Sequence, residues 1–336
     1  YPATLGAYQI QYNGFKETVD IGVGVIPKFD PDIAIMKFGP LGELIYATYL
    51  GGTETEVPSS CIVNSKRELI IMGFTGSDGH IASNGQLGLP FPTTVGAYDV
   101  TFNGGTAVAP LGVLDGIFFD RGSDIFIATL SENGSSLQAS TFLGGSSNDG
   151  ITYYNAALTQ NYGDQFRGEI YCDALDQIYI VTKTFSSDII NSSVPGYDKT
   201  YNGQTDGYVC KFSANLKTML WDTYIGGSNN DVGYSIRVAS DNSVYITGGT
   251  LSNNFPTTSG AIKTNLNFGD IDGYVVHLSA DGTSLLQGTY IGTSTYDQCF
   301  FIQLDHAENV YILGQTNGDF PMSPGVYGKP STGQFI

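Results

Sequence analysis

Tyr46-Ala47-Thr48-Tyr49-Leu50-Gly51-Gly52 is the stretch on which the fold turns, because the chain writes it four times. It returns as Ala139-Ser140-Thr141-Phe142-Leu143-Gly144-Gly145, as Trp221-Asp222-Thr223-Tyr224-Ile225-Gly226-Gly227 and as Gln287-Gly288-Thr289-Tyr290-Ile291-Gly292-Thr293. Threonine, an aromatic, an aliphatic and glycine keep their order in all four copies. Self-similarity of this kind fixes an architecture before any single element is assigned.

Outward from each copy the same neighbours recur. About 20 residues upstream an acidic residue opens an alternating strand: Asp32-Ile33-Ala34-Ile35, Asp124-Ile125-Phe126-Ile127, Asp206-Gly207-Tyr208-Val209 and Asp272-Gly273-Tyr274-Val275. Asn133-Gly134 and Asp281-Gly282 lie between first and second strands, and such dipeptides suit the positive φ of a tight hairpin. Downstream come a third strand, a polar turn (Asn64 to Glu68, Ala174 to Gln177, Ala239 to Ser243, Asp305 to Asn309) and a fourth strand. The fourth strands are Leu69-Ile70-Ile71-Met72, Ile178-Tyr179-Ile180-Val181, Val244-Tyr245-Ile246-Thr247 and Val310-Tyr311-Ile312-Leu313. Each repeat therefore reads as a four-stranded antiparallel meander.

A closing loop follows each meander: Phe91-Pro92-Thr93-Thr94-Val95-Gly96-Ala97-Tyr98, the degenerate Val194-Pro195-Gly196-Tyr197, Phe255-Pro256-Thr257-Thr258-Ser259-Gly260-Ala261-Ile262, and Phe320-Pro321 through Gly325-Val326-Tyr327. The same loop opens the chain as Tyr1-Pro2 through Gly6-Ala7-Tyr8, so the array is expected to begin upstream, and both ends read as cuts through a longer polypeptide. The expected divisions are the tail of a preceding repeat with an insertion (1–31), repeat one with insertions (32–123), repeat two with an insertion (124–205), repeat three (206–271), repeat four (272–332) and the start of a further repeat (333–336).

Gly51, Gly226 and Gly292 each precede their fourth strand by 18 residues, whereas Gly144 precedes Ile178 by 34, which places an extension around Thr152 to Arg167. Other extensions follow Tyr8 and Tyr98, and one spans roughly Ser77 to Leu89. Insertions that break a repeat map to loops on one face, often the binding face.

A lone meander cannot bury its apolar faces and needs like neighbours. Radial stacking of such units, with short hairpins inside each and longer links between them, is the β-propeller plan, in which only short edges remain. The expected fold class is thus all-β, a β-propeller of four-stranded antiparallel meander blades, four repeats complete and partial ones at both ends. Composition agrees: 44 glycines, 22 tyrosines and 19 phenylalanines stand against 14% charged residues in a chain of 336. The recurring threonine and glycine are read as fold residues, a hydroxyl satisfying backbone groups at a corner and a residue permitting close approach.

Taken together, Asp-Gly-Tyr-Val, Thr-Tyr-Ile-Gly-Gly, Val-Tyr-Ile-Thr-Gly and Phe-Pro-Thr-Thr-x-Gly-Ala-Tyr resemble the SBBP (β-propeller) repeat over nearly the whole chain. Thr293 in place of the second glycine and the shortened loop at Val194-Pro195 depart from the pattern. The resemblance implies a large exported protein of the kind found in Bacteroidota, where such repeats accompany type IX secretion, and hence an extracellular or outer-surface location with a role in gliding or adhesion.

Charge and motifs narrow the chemistry. A formal charge of −18 repels phosphate backbones and anionic lipid, which sets aside nucleic acid as a partner. The apolar runs are strand-sized and shorter than the ~20 residues of a spanning helix, so no direct membrane insertion is expected. Cys61, Cys172, Cys210 and Cys299 occupy different repeat positions and read as free strand thiols. His80, His277 and His306 have no metal-ligand spacing, and no Gly-x-Ser-x-Gly elbow occurs.

One carboxylate recurs five residues after the first glycine of each pair: Glu56, Asp149, Asp231 and Asp297. These four are the candidate site residues. One reading has them line a channel or join loop carbonyls around calcium. The preferred reading is structural, with each accepting backbone N–H groups in a turn. No catalytic residue, cofactor or metal is assigned.

The sequence points to a non-catalytic scaffold or interaction module within a larger polypeptide or surface complex, binding a protein or glycan partner through its inserted loops. The alternative is a carbohydrate-active propeller, a hydrolase or lyase using carboxylates and tyrosines near the ring axis, which would need a deep pocket with two facing carboxylates, and a lectin lies between the two readings. Ser279-Ala280-Asp281-Gly282-Thr283 is superficially similar to the Asp-box of sialidases, but its glycine is misplaced and the closing tryptophan is absent. Arg67, Arg121, Arg167 and Arg237 are too few and too scattered for an arginine cluster, and the single Trp221 argues against a lectin.

Overall fold

A computed structural model describes residues 2–81, 85–154, 156–161, 163–266, 271–320, 323–325 and 333–335. Parts of the Ser77–Leu89 and Thr152–Arg167 extensions, Pro321, Val326 and Tyr327 of the last closing loop, and the terminal Tyr1 and Ile336 lie outside the described residues.

The strands are β1 (Lys16–Asp20), β2 (Val25–Phe29), β3 (Ile33–Phe38), β4 (Leu44–Leu50), β5 (Glu56–Val63), β6 (Leu69–Thr75), β7 (Asp124–Leu130), β8 (Leu137–Leu143), β9 (Glu169–Cys172) and β10 (Ile178–Thr184). They continue as β11 (Asp206–Phe212), β12 (Met219–Ile225), β13 (Asp231–Val238), β14 (Val244–Thr250), β15 (Asp272–Leu278), β16 (Leu285–Ile291), β17 (Asp297–Leu304), β18 (Val310–Thr316) and β19 (Gly333–Phe335). Three antiparallel four-stranded sheets follow in series, β5 to β8, β9 to β12 and β13 to β16, flanked by β3-β4 on one side and β17-β18-β19 on the other. The chain is an all-β propeller of meander blades.

The blades differ in phase from the sequence repeats. Each sheet takes its first two strands from one repeat and its last two from the next, so the chain crosses between sheets at the Gly-Gly link and not at the closing loop. The closing loop returns to its own sheet because it binds the free edge of the outermost strand. Thr94 N–H donates to Ser140 O at 3.0 Å and Phe142 N–H to Asp99 O at 3.0 Å along β8. Asp222 with Pro195, and Tyr224 with Asp198, repeat the arrangement on β12, as do Thr258 with Gly288 and Tyr290 with Lys263 on β16. An exposed edge of unpaired N–H and C=O groups would otherwise recruit another strand.

The recurring threonine is the clasp of this edge. Thr223 Oγ1 donates to Asp198 O at 3.1 Å and accepts Asp198 N–H at 2.8 Å. Thr141 holds Asp99 in the same way at 2.9 Å in both directions. Both threonines are fully buried, where an unpaired hydroxyl would be costly.

Central strands are apolar on both faces because blades stack on both sides. Along β7, Ile125 and Ile127 enter the cluster shared with the following sheet, while Phe126 and Ala128 enter the one shared with β3-β4. Burying a ring such as Phe126 contributes ~2–3 kcal/mol. First strands pack against first strands, β5 on β9, β9 on β13 and β13 on β17. These four lie innermost and define the axis.

Candidate functional site

The two ends of the sheets are chemically different. Glu56, Thr75 and Asp124 share one register level, with Leu143 one residue from it, and from that end emerge the inter-sheet links, the extensions after Tyr8, Ser77 and Tyr98 and the β1-β2 hairpin. At the other end, between inner strand and neighbour, stand tight turns closed by their own backbone bonds: Asn64 with Glu68, Asp173 with Gln177, Ala239 with Ser243 and Asp305 with Asn309. A fold with one uniform end and one elaborated end displays its variable loops at the latter.

Each inner strand carries an irregularity at one level. On β5 the pairing skips Ser59, on β13 it skips Tyr234 and on β17 it skips Phe300, one β-bulge each, three residues after the recurring acid. In the second repeat that level is Thr152, where the Thr152–Arg167 extension begins; Asp149 pairs with Thr184 above it and β9 resumes at Glu169 below. A bulge re-aims one side chain without disturbing the flanking ladder. The extension is thus an enlarged bulge.

These four irregularities surround an axial cavity of about 410 Å3, lined among others by Ser59, Arg167, Glu169, Tyr234, Phe300 and Phe301. The extension folds over its rim. Leu158 is buried with Val232, Tyr234 and Phe300, and its carbonyl accepts Tyr234 Oη at 2.9 Å and Gln298 Nε2 at 3.3 Å. Ser59 Oγ reaches back to Phe166 O and Gly168 O at 2.9 and 3.0 Å. Tyr234 and Phe300 stack at 5.7 Å, and the Arg167 guanidinium lies 4.7 Å from the Phe300 ring centre.

Among the described residues lining the cavity, Glu169 is the one carboxylate, and both its oxygens are engaged. Oε1 accepts Arg237 Nη1 at 2.7 Å and Oε2 accepts Ile236 N–H at 2.9 Å. Asp164, fully buried behind the rim, accepts Arg167 Nε at 2.6 Å. Beneath it lies Lys183, also fully buried, donating to Asp164 O at 2.8 Å. Burial pulls Lys183 down to about 7. Arg167 and Arg237 therefore both approach the axis, which their spacing in the chain did not foretell, while Arg67 pairs with Glu132 and Arg121 with Asp78 elsewhere.

The four recurring carboxylates lie away from the cavity, at the Gly-Gly links. Each accepts the N–H of the residue four before it: Glu56 from Gly52 at 3.0 Å, Asp149 from Gly145 at 2.7 Å, Asp231 from Gly227 at 2.7 Å and Asp297 from Thr293 at 2.5 Å. Hydroxyls complete the turns, Thr75 on Glu56 at 2.6 Å, Thr184 and Ser186 on Asp149, and Ser252 on Asp231 at 2.7 Å.

Each of the four faces the acid that opens its own repeat, Asp32, Asp124, Asp206 or Asp272. A β-carbon added at Gly226 would stand 2.5 Å from Asp206 Oδ1 and 2.9 Å from Asp231 Oδ2, so both carboxylates converge on one point; Gly292 sits likewise between Asp272 and Asp297. Burial, aided by this proximity, raises Asp206 to about 7 and Asp124 to about 8. Burial raises Asp149 to about 7 and Asp231 to about 6.

A repeated Tyr/Phe-Asn-Gly supplies the other side of these pairs, a signal that repeat reading passed over. Asn13, Asn103 and Asn202 each donate their N–H to Asp32, Asp124 and Asp206 at 3.0, 2.7 and 2.9 Å.

Comparison with known proteins adds little beyond this geometry. No protein-family model matches the chain. No curated protein matches it. Among solved structures the chain is similar to the Hadza microbial sialidase Hz136, at 8% identity and a TM-score of 0.33, over 78% of this chain and 42% of that one. The chain spans less than half the length of that protein, and a likeness this distant says nothing of activity.

The remaining candidates fall in structural places. Trp221 is buried against Tyr179 with Nε1 donating to Ala280 O at 3.1 Å, and Asp281 organises its own hairpin turn through Ser279 and Thr283. His277 stacks on Tyr245. His80 joins the network that ties the insertions together, in which Lys28 meets Glu54 and Asp120 at 2.7 Å each and His80 meets Asp78 at 2.6 Å.

Proposed function

We propose that the chain is a non-catalytic β-propeller interaction module of a larger exported, cell-surface protein, holding a protein or glycan partner at the end of the sheets where the insertions gather. The asymmetry of the two ends carries this reading: uniform short turns at one, and at the other the inter-sheet links and the extensions after Tyr8, Ser77 and Tyr98, with the Thr152–Arg167 extension lining the axial cavity. Export and surface display rest on the resemblance of the repeats to those of large exported proteins. Against a two-carboxylate glycoside hydrolase stands Glu169, the one carboxylate among the described residues lining the cavity, with both its oxygens engaged.

The test is retention of the purified chain on immobilised surface polysaccharides and surface proteins, with reducing ends and unsaturated products assayed in the same samples. Replacing 111–115, which includes the exposed Val113 and Leu114, by glycine and serine is expected to weaken retention, and charge reversal of Lys66 and Glu308 at the opposite end to leave it unchanged. Release of products would replace this reading with the carbohydrate-active one. Retention that depends on Lys66 and Glu308 instead would place the partner at the wrong end.

A further inference from the structure

Arg167 is held along one edge and open along the other. Its Nε is fixed by Asp164 at 2.6 Å, and Asp164 is itself fixed by the Asn161 N–H at 2.7 Å. Its plane rests near Phe300, with Phe301 and Tyr234 within 6 Å of the guanidinium carbon. Among the described residues its two Nη groups have no hydrogen-bond partner, and the side chain lines the cavity. A guanidinium desolvated on its faces and unpaired at its fork is matched by a planar, bidentate acceptor.

The surroundings favour a negative charge there despite the −18 of the whole chain. Arg167 and Arg237 meet Asp164 and Glu169, and Lys183, drawn down to about 7 by burial, adds part of a positive charge behind them. Charges elsewhere on the surface are screened within about 8 Å at physiological salt. Beside the guanidinium, Phe301 leaves half its surface exposed, an apolar wall for the C–H face of a saturated ring. The volume of about 410 Å3 suits a small unit rather than a polypeptide segment.

We propose that the axial cavity binds a carboxylate-bearing sugar, a uronic acid unit of an acidic polysaccharide, with the Arg167 fork on the carboxylate and Phe301 against the ring. This deepens the reading of the chain as a surface interaction module and rests on it. Arg167 is the specificity-determining residue, and Asp164 its positioning residue. The cavity is built by the enlarged bulge that distinguishes the second repeat, so the other inner strands supply walls and this one supplies the open guanidinium.

Calorimetry of the purified chain with oligosaccharides of pectate, alginate, hyaluronan and glucuronoxylan, each beside its methyl-esterified form, tests this. At least one acidic oligosaccharide is expected to bind, its ester about 10- to 100-fold more weakly. Arg167→Lys keeps the charge and loses the fork, and is expected to weaken binding by a similar factor with an unchanged melting temperature. Arg167→Ala should do so more severely. Failure of every acidic oligosaccharide, equal binding of acid and ester, preference for sulfated sugars alone, or indifference of a folded Arg167→Lys variant would overturn the proposal. Should that variant still be retained on a protein or a neutral glycan through the insertion end, the broader reading would stand without this one.

Discussion

Gly226→Ala is a single methyl placed where the fold has no room for it. Gly226 has an ordinary backbone conformation, since it is absent from the positive-φ residues, so the substitution costs nothing in torsional strain. The cost is contact alone: the new carbon would meet Asp206 Oδ1 at 2.5 Å and Asp231 Oδ2 at 2.9 Å. Neither oxygen belongs to a flexible tip. Asp231 Oδ2 is fixed by Gly227 N–H and Ser252, and the Asp206 carboxyl by Asn202 N–H on its other oxygen, Oδ2. Making space means breaking at least one hydrogen bond to a buried carboxyl, ~1.5–3 kcal/mol, and adds the strain of overpacking, ~1–3 kcal/mol.

A loss of about 3 kcal/mol or more is therefore expected for Gly226→Ala in urea unfolding monitored by far-UV circular dichroism. Gly260→Ala is the contrast. Its φ is +86° and its added carbon meets nothing within 4 Å, so it should lose only about 1–2 kcal/mol from the left-handed conformation. If Gly226→Ala proves no more costly than Gly260→Ala, the carboxylates are not held against the glycine and the account of the Gly-Gly link fails.

The carboxyls at these links make stability fall as pH rises. Their folded pKa values, about 6 for Asp231, about 7 for Asp149 and Asp206 and about 8 for Asp124, lie above those of an unfolded chain. Their contribution is complete below about pH 4 and is lost as pH rises through 6 to 8, so the melting temperature should be higher at pH 5 than at pH 8; a steady rise from 5 to 8 would refute it. Thr223→Val leaves the Asp198 N–H and C=O without their clasp in a buried corner and should cost about 1–3 kcal/mol, whereas Thr283→Val on an exposed turn should change chemical stability by under about 0.5 kcal/mol. Arg67, at φ +64°, is a side chain held in the left-handed region, and Arg67→Gly should stabilise by about 0.5–1 kcal/mol, read as a shift of the urea midpoint at constant slope.

What could be read from the sequence was whatever the repeat writes several times in plain residues. Strand positions, hairpin turns and a threonine clasp followed from Thr, Gly and the alternating runs. The phase of the blades did not, because the Gly-Gly link and the closing loop are both turn-rich and nothing local says which one crosses between sheets. That choice is made by hydrogen bonds 25 to 46 residues apart, such as Asp198 N–H on Thr223 Oγ1 and Ser140 N–H on Thr94 Oγ1. The cavity was hidden for a related reason. Ser59, Tyr234 and Phe300 share a structural level but no residue type, so self-similarity cannot reveal them, and only the length of the extension before Glu169 hinted that this level differs.

That contrast also explains how such a fold can acquire a site. Residues that the repeat holds constant, Thr223, Gly226, Asp206 and Asp231 among them, are each pinned by partners on two sheets or on a sheet and its closing loop. A bulged residue is pinned by nothing across the ladder, since its neighbours pair around it. Serine, tyrosine, phenylalanine and a 16-residue extension occupy equivalent places while Glu56, Asp149, Asp231 and Asp297 above them keep one geometry. The inner strands thus offer a few positions that the strand ladder itself does not constrain, all directed at one cavity. Chemistry such as the open fork of Arg167 can arise there without disturbing what keeps the blades together.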